Sequence, residues 1–361
     1  MGFPSRPNSC IVSPMSTTNP SHKEQLADLA HEAMLARDLL PEFSRQVRGE
    51  IQQIERRDPP AEDDRRDLRD LLWSSIDNDD SRDLDQITVA ESAGGSAVRV
   101  RAAIADVAAF VDQDDPVDAH ASYNTTSVYT PGRVFPMLPV RLCYDLTSLN
   151  EGVDRLAMVA DFVVEPDGTL QDGRLYPALV HNRAKLTYDA IGDYLSEKGA
   201  LPAAAKAVPG LEENLRFQHR AAQRLRQRRY QHGALELQTI SARPHFDGND
   251  RLALEFDGRN PAKELIEDLM IAANTVTARF LRDQELPSLR RVVREPGRWE
   301  RIVELALQYD AELPARPDPK ALSRFLGRER ERDPLRFPDL SLTVIKLIGS
   351  GEYVVEHPGE K

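Results

Sequence analysis

Cysteine is nearly absent: Cys10 and Cys143 are the two thiols in a chain of 361 residues. That excludes a disulfide framework and any cysteine cluster with zinc-ligand spacing, so a metal, if one is used, is expected on oxygen ligands, and the composition suits a reducing cytoplasm. Long apolar runs are missing too. Nothing approaches the roughly 18 consecutive apolar residues of a membrane span, and the N-terminus lacks the unbroken apolar core of a secretory signal. An excess of basic charge is the third absence: 47 Lys and Arg face 59 Asp and Glu, for a net charge of −12. This argues against a protein that coats nucleic acid through an overall basic surface. It leaves room for an enzyme with a local basic channel, because a metal site adds its own block of carboxylates. With 40% hydrophobic residues there is enough apolar material for a buried core, at a length that holds about two domains.

The chain divides by composition. Residues 1–21 are rich in Ser and Pro without an apolar period and are expected to be a disordered tail, with Met15 as an alternative start. Leu26, Leu29, Ala30, Ala33 and Met34 recur at helical spacing, Pro41 interrupts them, and Phe43, Val47, Ile51 and Ile54 resume it. A small helical N-terminal module is expected over 22–57, read as a packed cap, with RNA binding as the alternative. Residues 58–66, proline-bearing and densely charged, read as a linker. A larger domain should then occupy 67–361. Residues 87–91 and 97–104 flank Gly94-Gly95 as one hairpin, and 156–165 and 169–176 flank Asp167-Gly168 as another. Helical periods follow at about 211–230, 261–284 and 298–309. Strands first and helices later give an α+β class.

The most informative stretch runs from Ser75 to Gln86 and crowds Asp77, Asp79, Asp80, Asp83 and Asp85 together. Adjacent carboxylates repel one another, and hard divalent cations prefer such oxygen donors, so a metal site is one reading. A solvated acidic turn is the other. A calcium loop fails, because Arg82 stands where the EF-hand turn needs glycine and Thr88 where it needs glutamate.

Asp77, Asp80, Arg82, Asp83, Leu84 and Asp85 resemble the acidic motif of the ribonuclease II (RNB) family. Further blocks follow in the family's order: Ile104-Ala-Asp-Val107, Thr126-Ser-Val-Tyr-Thr-Pro-Gly-Arg133, Pro136-Met-Leu-Pro139, Leu146-Thr-Ser-Leu149, Asp154-Arg-Leu156, Lys185-Leu-Thr-Tyr188 and Glu267-Asp-Leu-Met-Ile-Ala-Ala-Asn274. The resemblance implies a mixed-sheet catalytic domain wrapped by helices. It also implies a metal-dependent exoribonuclease that hydrolyses single-stranded RNA from the 3′ end to nucleoside 5′-monophosphates, with Mg²⁺ or Mn²⁺ activating water. By motif position the metal residues are Asp77, Asp83, Asp85 and Gln86, and the catalytic ones Asp83 and Asp85, with Asp85 the most needed. The RNA-binding candidates are Tyr129, whose aromatic face would stack on a terminal base, Arg133, Tyr188, Glu267 and Asn274.

Some residues depart from the pattern. Gln86 stands where the family carries an aspartate, and a neutral amide oxygen should weaken metal binding. The family's arginine-bearing segment and S1-type domain are not met before Lys361, so the resemblance implies a catalytic domain incomplete at its C-terminus. A catalytically impaired RNA-binding protein with the same fold is therefore the competing expectation. An unrelated Mg²⁺-dependent phosphatase would leave the downstream blocks unexplained. The basic run Arg216, Arg220, Arg224, Arg226, Arg228 and Arg229 is expected to contact phosphate, a solvated face being the alternative.

Overall fold

The structure is a computed structural model in which residues 21–56, 65–239, 241–246, 252–293 and 296–359 are described. The expected tail as far as residue 20, with Cys10 and Met15, and most of the expected linker lie outside the described residues.

Helix α1 (His22–Leu35) begins with a reciprocal cap: the Ser21 hydroxyl accepts from Glu24 N at 3.2 Å while the Glu24 carboxylate accepts from Ser21 N at 2.8 Å. Helix α2 (Arg45–Ile54) is capped by Ser44 and buries Val47, Ile51 and Ile54, three of the residues that the helical period singled out. Strands β1 (Arg66–Asp67), β2 (Ser74–Asp77), β3 (Gln86–Ser92) and β4 (Val98–Ala105) follow, then α3 (Pro116–Asn124), the short ladder β5 (Val128–Tyr129) and β6 (Val134–Phe135), and β7 (Asp154–Val164), β8 (Leu170–His181) and β9 (Ala184–Thr187). Helices α4 (Tyr188–Leu195), α5 (Ala203–Lys206), α6 (Leu211–Gln231), α7 (Pro261–Asp283), α8 (Trp299–Leu307), α9 (Pro319–Arg332) and α10 (Phe337–Ile348) complete the helical set. Two further ladders pair Ser241–Phe246 with Leu252–Asp257 and Ser288–Val292 with Glu352–Glu356. The sheet therefore begins at Arg66, the last residue of the segment read as linker.

Seven strands form one sheet in the order β1-β8-β7-β4-β3-β2-β9. The β1–β8 and β2–β9 pairs are parallel and the rest antiparallel. The β3–β4 hairpin turns at Gly94 and Gly95, whose φ values of 97° and 54° lie in the left-handed region that glycine occupies without strain.

Alternation along the strands sends side chains to two cores. On one face Ala90, Val98, Val100, Ala102, Phe162 and Val164 meet α6 and α7 through Leu211, Leu215, Leu265 and Leu269. On the other Trp73, Ile87, Val89, Ala103, Val159 and Val180 are covered by Leu84 and Leu149 from loops. Helices α8 to α10 bury a separate cluster around Trp299, Phe325 and Phe337, and α2 packs on α3 through Val47, Ile51, Val117 and Leu142. Among the described residues no helix is long and apolar enough to cross a membrane.

The arginine run is engaged by partners within the fold. Arg226 pairs with Glu264 and Asp268, and Arg229 with Asp268, whose side chain is 1% exposed. Arg224 donates to Ser96 O at 2.7 Å, Arg228 pairs with Asp167, Arg216 with Glu212, and Arg220 lies over the Phe217 ring. Arg226 and Arg229 fasten α6 to α7, because a carboxylate buried on the facing helix is stable only when paired, Arg224 and Arg228 tie α6 to turns of the sheet, and Arg216 and Arg220 make contacts within α6. The expectation of phosphate contact gives way to this role for Arg226 and Arg229.

Candidate active site

Strand β2 ends at Asp77 and β3 begins at Gln86, and between them the chain leaves the sheet as an acidic loop. Its start is shaped locally: Asp77 Oδ1 accepts from Asn78 N at 2.7 Å and from the Ser81 hydroxyl at 2.8 Å, the kind of turn that a short polar side chain makes with its own backbone. Its end is pinned by burial. Leu84 is 1% exposed in the core, and its backbone is held on both sides, since Leu84 N donates to the Ser148 hydroxyl at 3.0 Å and Leu84 O accepts from Leu149 N at 2.9 Å. The Ser148 hydroxyl also donates to Arg82 O at 2.8 Å. Asp85 O accepts from Ala105 N on β4 at 3.0 Å.

Lys185 spans the loop from β9. Its ammonium donates to Ser81 O at 2.7 Å and to Asp79 O at 3.1 Å. A fixed cation bonded to the loop's carbonyls both holds its curvature and offsets part of the repulsion among the acids. Neither Lys185 nor Ser148 stands out in sequence as a loop clamp. The parallel pairing of β2 with β9 brings Lys185 there.

Asp77, Asp83 and Asp85 line one cleft of about 660 Å³ together with Asn78, Asp80 and Ser81, and Tyr129, Thr130, Pro131 and Val134 line it from the β5–β6 hairpin. The Tyr129 hydroxyl donates to Asp83 Oδ2 at 2.8 Å, and its side of the residue stays open, at 65% exposure. The structure thus brings together four of the residues singled out in sequence.

The electrostatics show a concentrated negative field. Asp85 keeps solvent-accessible surface, yet the protein packed around it and then the charges of Asp83 and Asp77 push its carboxyl up to about 6. Partial burial and the hydrogen bond to Asp83 raise the Tyr129 phenol. Burial and the same carboxylate push the Cys143 thiol up to about 12. A site where neighbouring carboxylates disfavour each other's ionisation takes up a hard cation readily. Among the described residues no three His, Cys, Asp or Glu side chains close on a single point as a metal cage. By donor type and charge alone Asp77, Asp83 and Asp85 suit a divalent ion, while their side chains line the cleft without closing on one point.

The other residues singled out lie elsewhere. Gln86 opens β3 opposite Ile104, in step with Thr88, whose hydroxyl bonds Gln218 on α6, and it is not among the cleft-lining residues. Arg133 pairs with Glu42 at 2.8 Å and stacks over Phe135. Tyr188 is the first residue of α4, partly buried against the main core, with the Lys263 ammonium 5.7 Å from its ring centre. Glu267 and Asn274 are exposed on α7. Glu267 lines a second cleft of about 390 Å³ with Arg259, Asn260, Lys263, Pro334 and Pro338, whereas Asn274 lines neither cleft.

A family model described as RNB domain matches residues 65–360. The chain belongs to the RNB domain family. The match extends over both sheet cores, the acidic cleft and the helices α4 to α10, which confirms the resemblance drawn from the ordered sequence blocks. Among curated relatives of this RNB chain, Ribonuclease R of Vibrio cholerae is 33% identical over 345 residues, covering 93% of the chain and 40% of the relative. The chain thus spans well under half the length of that relative. Among solved structures, Mycoplasma genitalium RNase R in complex with double-stranded RNA superposes with a TM-score of 0.79 at 23% identity, covering 89% of this chain and 57% of that one. A yeast pseudonuclease superposes with a TM-score of 0.63 at 14% identity, covering 81% of this chain and 35% of that one. At those identities the structural likeness is one of fold.

Proposed function

We propose that this RNB chain acts in metal-dependent 3′→5′ exoribonucleolysis of single-stranded RNA, releasing nucleoside 5′-monophosphates. The observation that carries the reading is that Asp77, Asp83 and Asp85 line one cleft, with Tyr129 hydrogen-bonded to Asp83. Asp77, Asp83 and Asp85 would hold Mg²⁺ or Mn²⁺, which when bound would supply Lewis acidity and a source of activated water for hydrolysis. Without a cation, the protein packed around Asp85 and then the charges of Asp83 and Asp77 raise its proton affinity, and a bound cation would favour its carboxylate form. Asp83 fixes the phenol of Tyr129 and keeps its ring at the cleft mouth, open for stacking on a terminal base whatever its identity. Of the further RNA-binding candidates, Glu267 belongs to a second groove shared with Lys263, whose ammonium lies beside Tyr188. Arg133 supports the hairpin from outside the cleft. Relatives named Ribonuclease R, among them those of Vibrio cholerae and Escherichia coli, support the same chemistry.

A second reading is favoured by Gln86, a neutral amide where the family carries an aspartate. In it the chain binds RNA and turns over poorly, as a fold shared with a pseudonuclease allows. The test incubates the purified chain with 5′-labelled single-stranded RNA and Mg²⁺ or Mn²⁺. A ladder shortening from the 3′ end supports the exonuclease; a mobility shift without shortening supports the binder. Release of phosphate from small esters, with RNA untouched, would overturn both.

A further inference from the structure

The hairpin that carries Tyr129 is small and closed on itself. Strands β5 and β6 pair through Val128 with Phe135 and Tyr129 with Val134, and the Thr130 hydroxyl ties the turn by donating to Arg133 O at 2.6 Å and accepting from Arg133 N at 3.1 Å. A two-residue ladder of this kind is marginal by itself in water, so its position depends on what it leans against. It leans on the N-terminal segment. At the tip, Gly132 lies so close to α1 that a Cβ there would stand 2.5 Å from Ala27 N and 2.8 Å from Lys23 O. Both opposing atoms are backbone, so no side-chain rotation could make room.

Three further contacts join the same partners. Arg133 pairs with Glu42 at 2.8 Å while its guanidinium lies 4.7 Å over the Phe135 ring. The His31 ring of α1 sits 6.5 Å from the same Phe135. Just before the hairpin, the buried Asn124 side chain exchanges two hydrogen bonds of 2.9 Å with the backbone of Leu40. Helix α1 meanwhile buries Met34 alone among its residues, and its Leu29 and Leu35 stay 59% and 55% exposed. An amphipathic helix is normally held by a buried apolar face. This one has little such face, and the Tyr129 hairpin approaches it closely at Gly132.

We propose that α1 is a positioning brace for that hairpin. By fixing Gly132 and Arg133 it sets where the Tyr129 ring stands over the acidic cleft, so that residues 21–43 govern RNA grip without touching RNA. The inference rests on the reading of Tyr129 as an RNA-stacking residue. A displacement of about 1 Å in a positioning group is enough to weaken a bound complex markedly.

The test uses the full chain and a short single-stranded RNA. Affinity is read by fluorescence anisotropy in Ca²⁺, and the single-turnover rate at saturating RNA is read in Mg²⁺, beside the melting temperature. Gly132→Val should raise the RNA Kd about tenfold, as loss of one stacked base does at ~1 to 3 kcal/mol, with the saturating rate within about twofold of the parent. Glu42→Arg should weaken binding in the same way, and adding Arg133→Glu to it should restore affinity. That rescue cannot follow if Arg133 contacts RNA itself, and it keeps the test alive should Gly132→Val fail to fold. If Tyr129→Ala weakens binding while Gly132→Val leaves Kd unchanged, or if the reversed pair does not recover, the brace is overturned and the stacking reading stands. If Tyr129→Ala itself is silent, the stacking reading falls and the brace with it.

Discussion

The acidic loop and the α6–α7 seam both crowd carboxylates, and they resolve the crowding in opposite ways. At the seam Glu264 and the buried Asp268 are met by Arg226 and Arg229, so the charges neutralise one another. In the loop, among the described residues, no arginine or lysine side chain pairs with Asp77, Asp83 or Asp85; Lys185 bonds backbone carbonyls instead. The carboxylates therefore face one another across a cleft, and Asp85, Tyr129 and Cys143 have raised proton affinity, first from the protein packed around them and then from these charges. Uncompensated charge held in place by buried anchors such as Leu84 marks a site prepared for a cation, whereas compensated charge marks a joint.

The sharpest way to break this comparison is Asp85→Asn, which keeps shape and removes charge. Single-turnover hydrolysis should fall by about 10³-fold, the scale of losing one strong electrostatic contribution to the transition state, while RNA binding in Ca²⁺ persists. Undiminished hydrolysis would return the loop to the status of a solvated turn. At the seam, Asp268→Ala strips two arginines of their partner and should cost about 3 kcal/mol of stability, read from chemical denaturation. A loss below ~0.5 kcal/mol would show the pairs to be no stronger than exposed ones.

Lys185→Met addresses the clamp between the two behaviours. Freeing the loop's carbonyls should weaken Mn²⁺ binding about tenfold, the scale on which groups that orient ligands act, and Lys185→Arg should restore most of it; titration by electron paramagnetic resonance decides. A pH effect should follow from Asp85 as well. A carboxyl whose folded pKa is raised from the ordinary 3.8 to about 6 favours the fold fully below pH 4, and that contribution is lost as pH rises through 6. In EDTA the parent should lose stability relative to Asp85→Asn between pH 4 and 7, and Mg²⁺ should narrow the gap. Parallel curves would mean that Asp85 carries no raised pKa. The smallest effect is expected from Gln86→Asp: a carboxylate added outside the cleft lining and screened by water should contribute about 0.5 kcal/mol, a roughly twofold gain in Mg²⁺ affinity by calorimetry. A gain of tenfold or more would instead make position 86 a direct ligand.

Much of the architecture is written in local pattern. The two hairpins, α6, α7 and α8 fall within a few residues of where period and turn chemistry put them, because a strand's alternation and a helix's apolar stripe are properties of consecutive residues. Beyond residue 310 the local pattern is harder to read, although α9 buries Leu322, Phe325 and Leu326 at helical spacing behind the Asp318 cap. Its dense charges, Arg324, Arg328, Glu329 and Arg330, hid that stripe. The acidic loop was legible for the reason that it matters: carboxylates repel over the short distances that sequence neighbours cannot escape.

By itself the sequence determined that the chain folds as an α+β domain of the RNB kind, and it pointed to Asp77, Asp83 and Asp85 as the candidate site. Tertiary structure alone decided which charges are answered. The arginine run and the acid run look alike as strings, yet Asp268 lies on another helix and Lys185 on another strand. The contact of Gly132 with Ala27 joins positions more than a hundred residues apart. Pairing across such separations depends on sheet order and helix packing, which no local window of residues encodes.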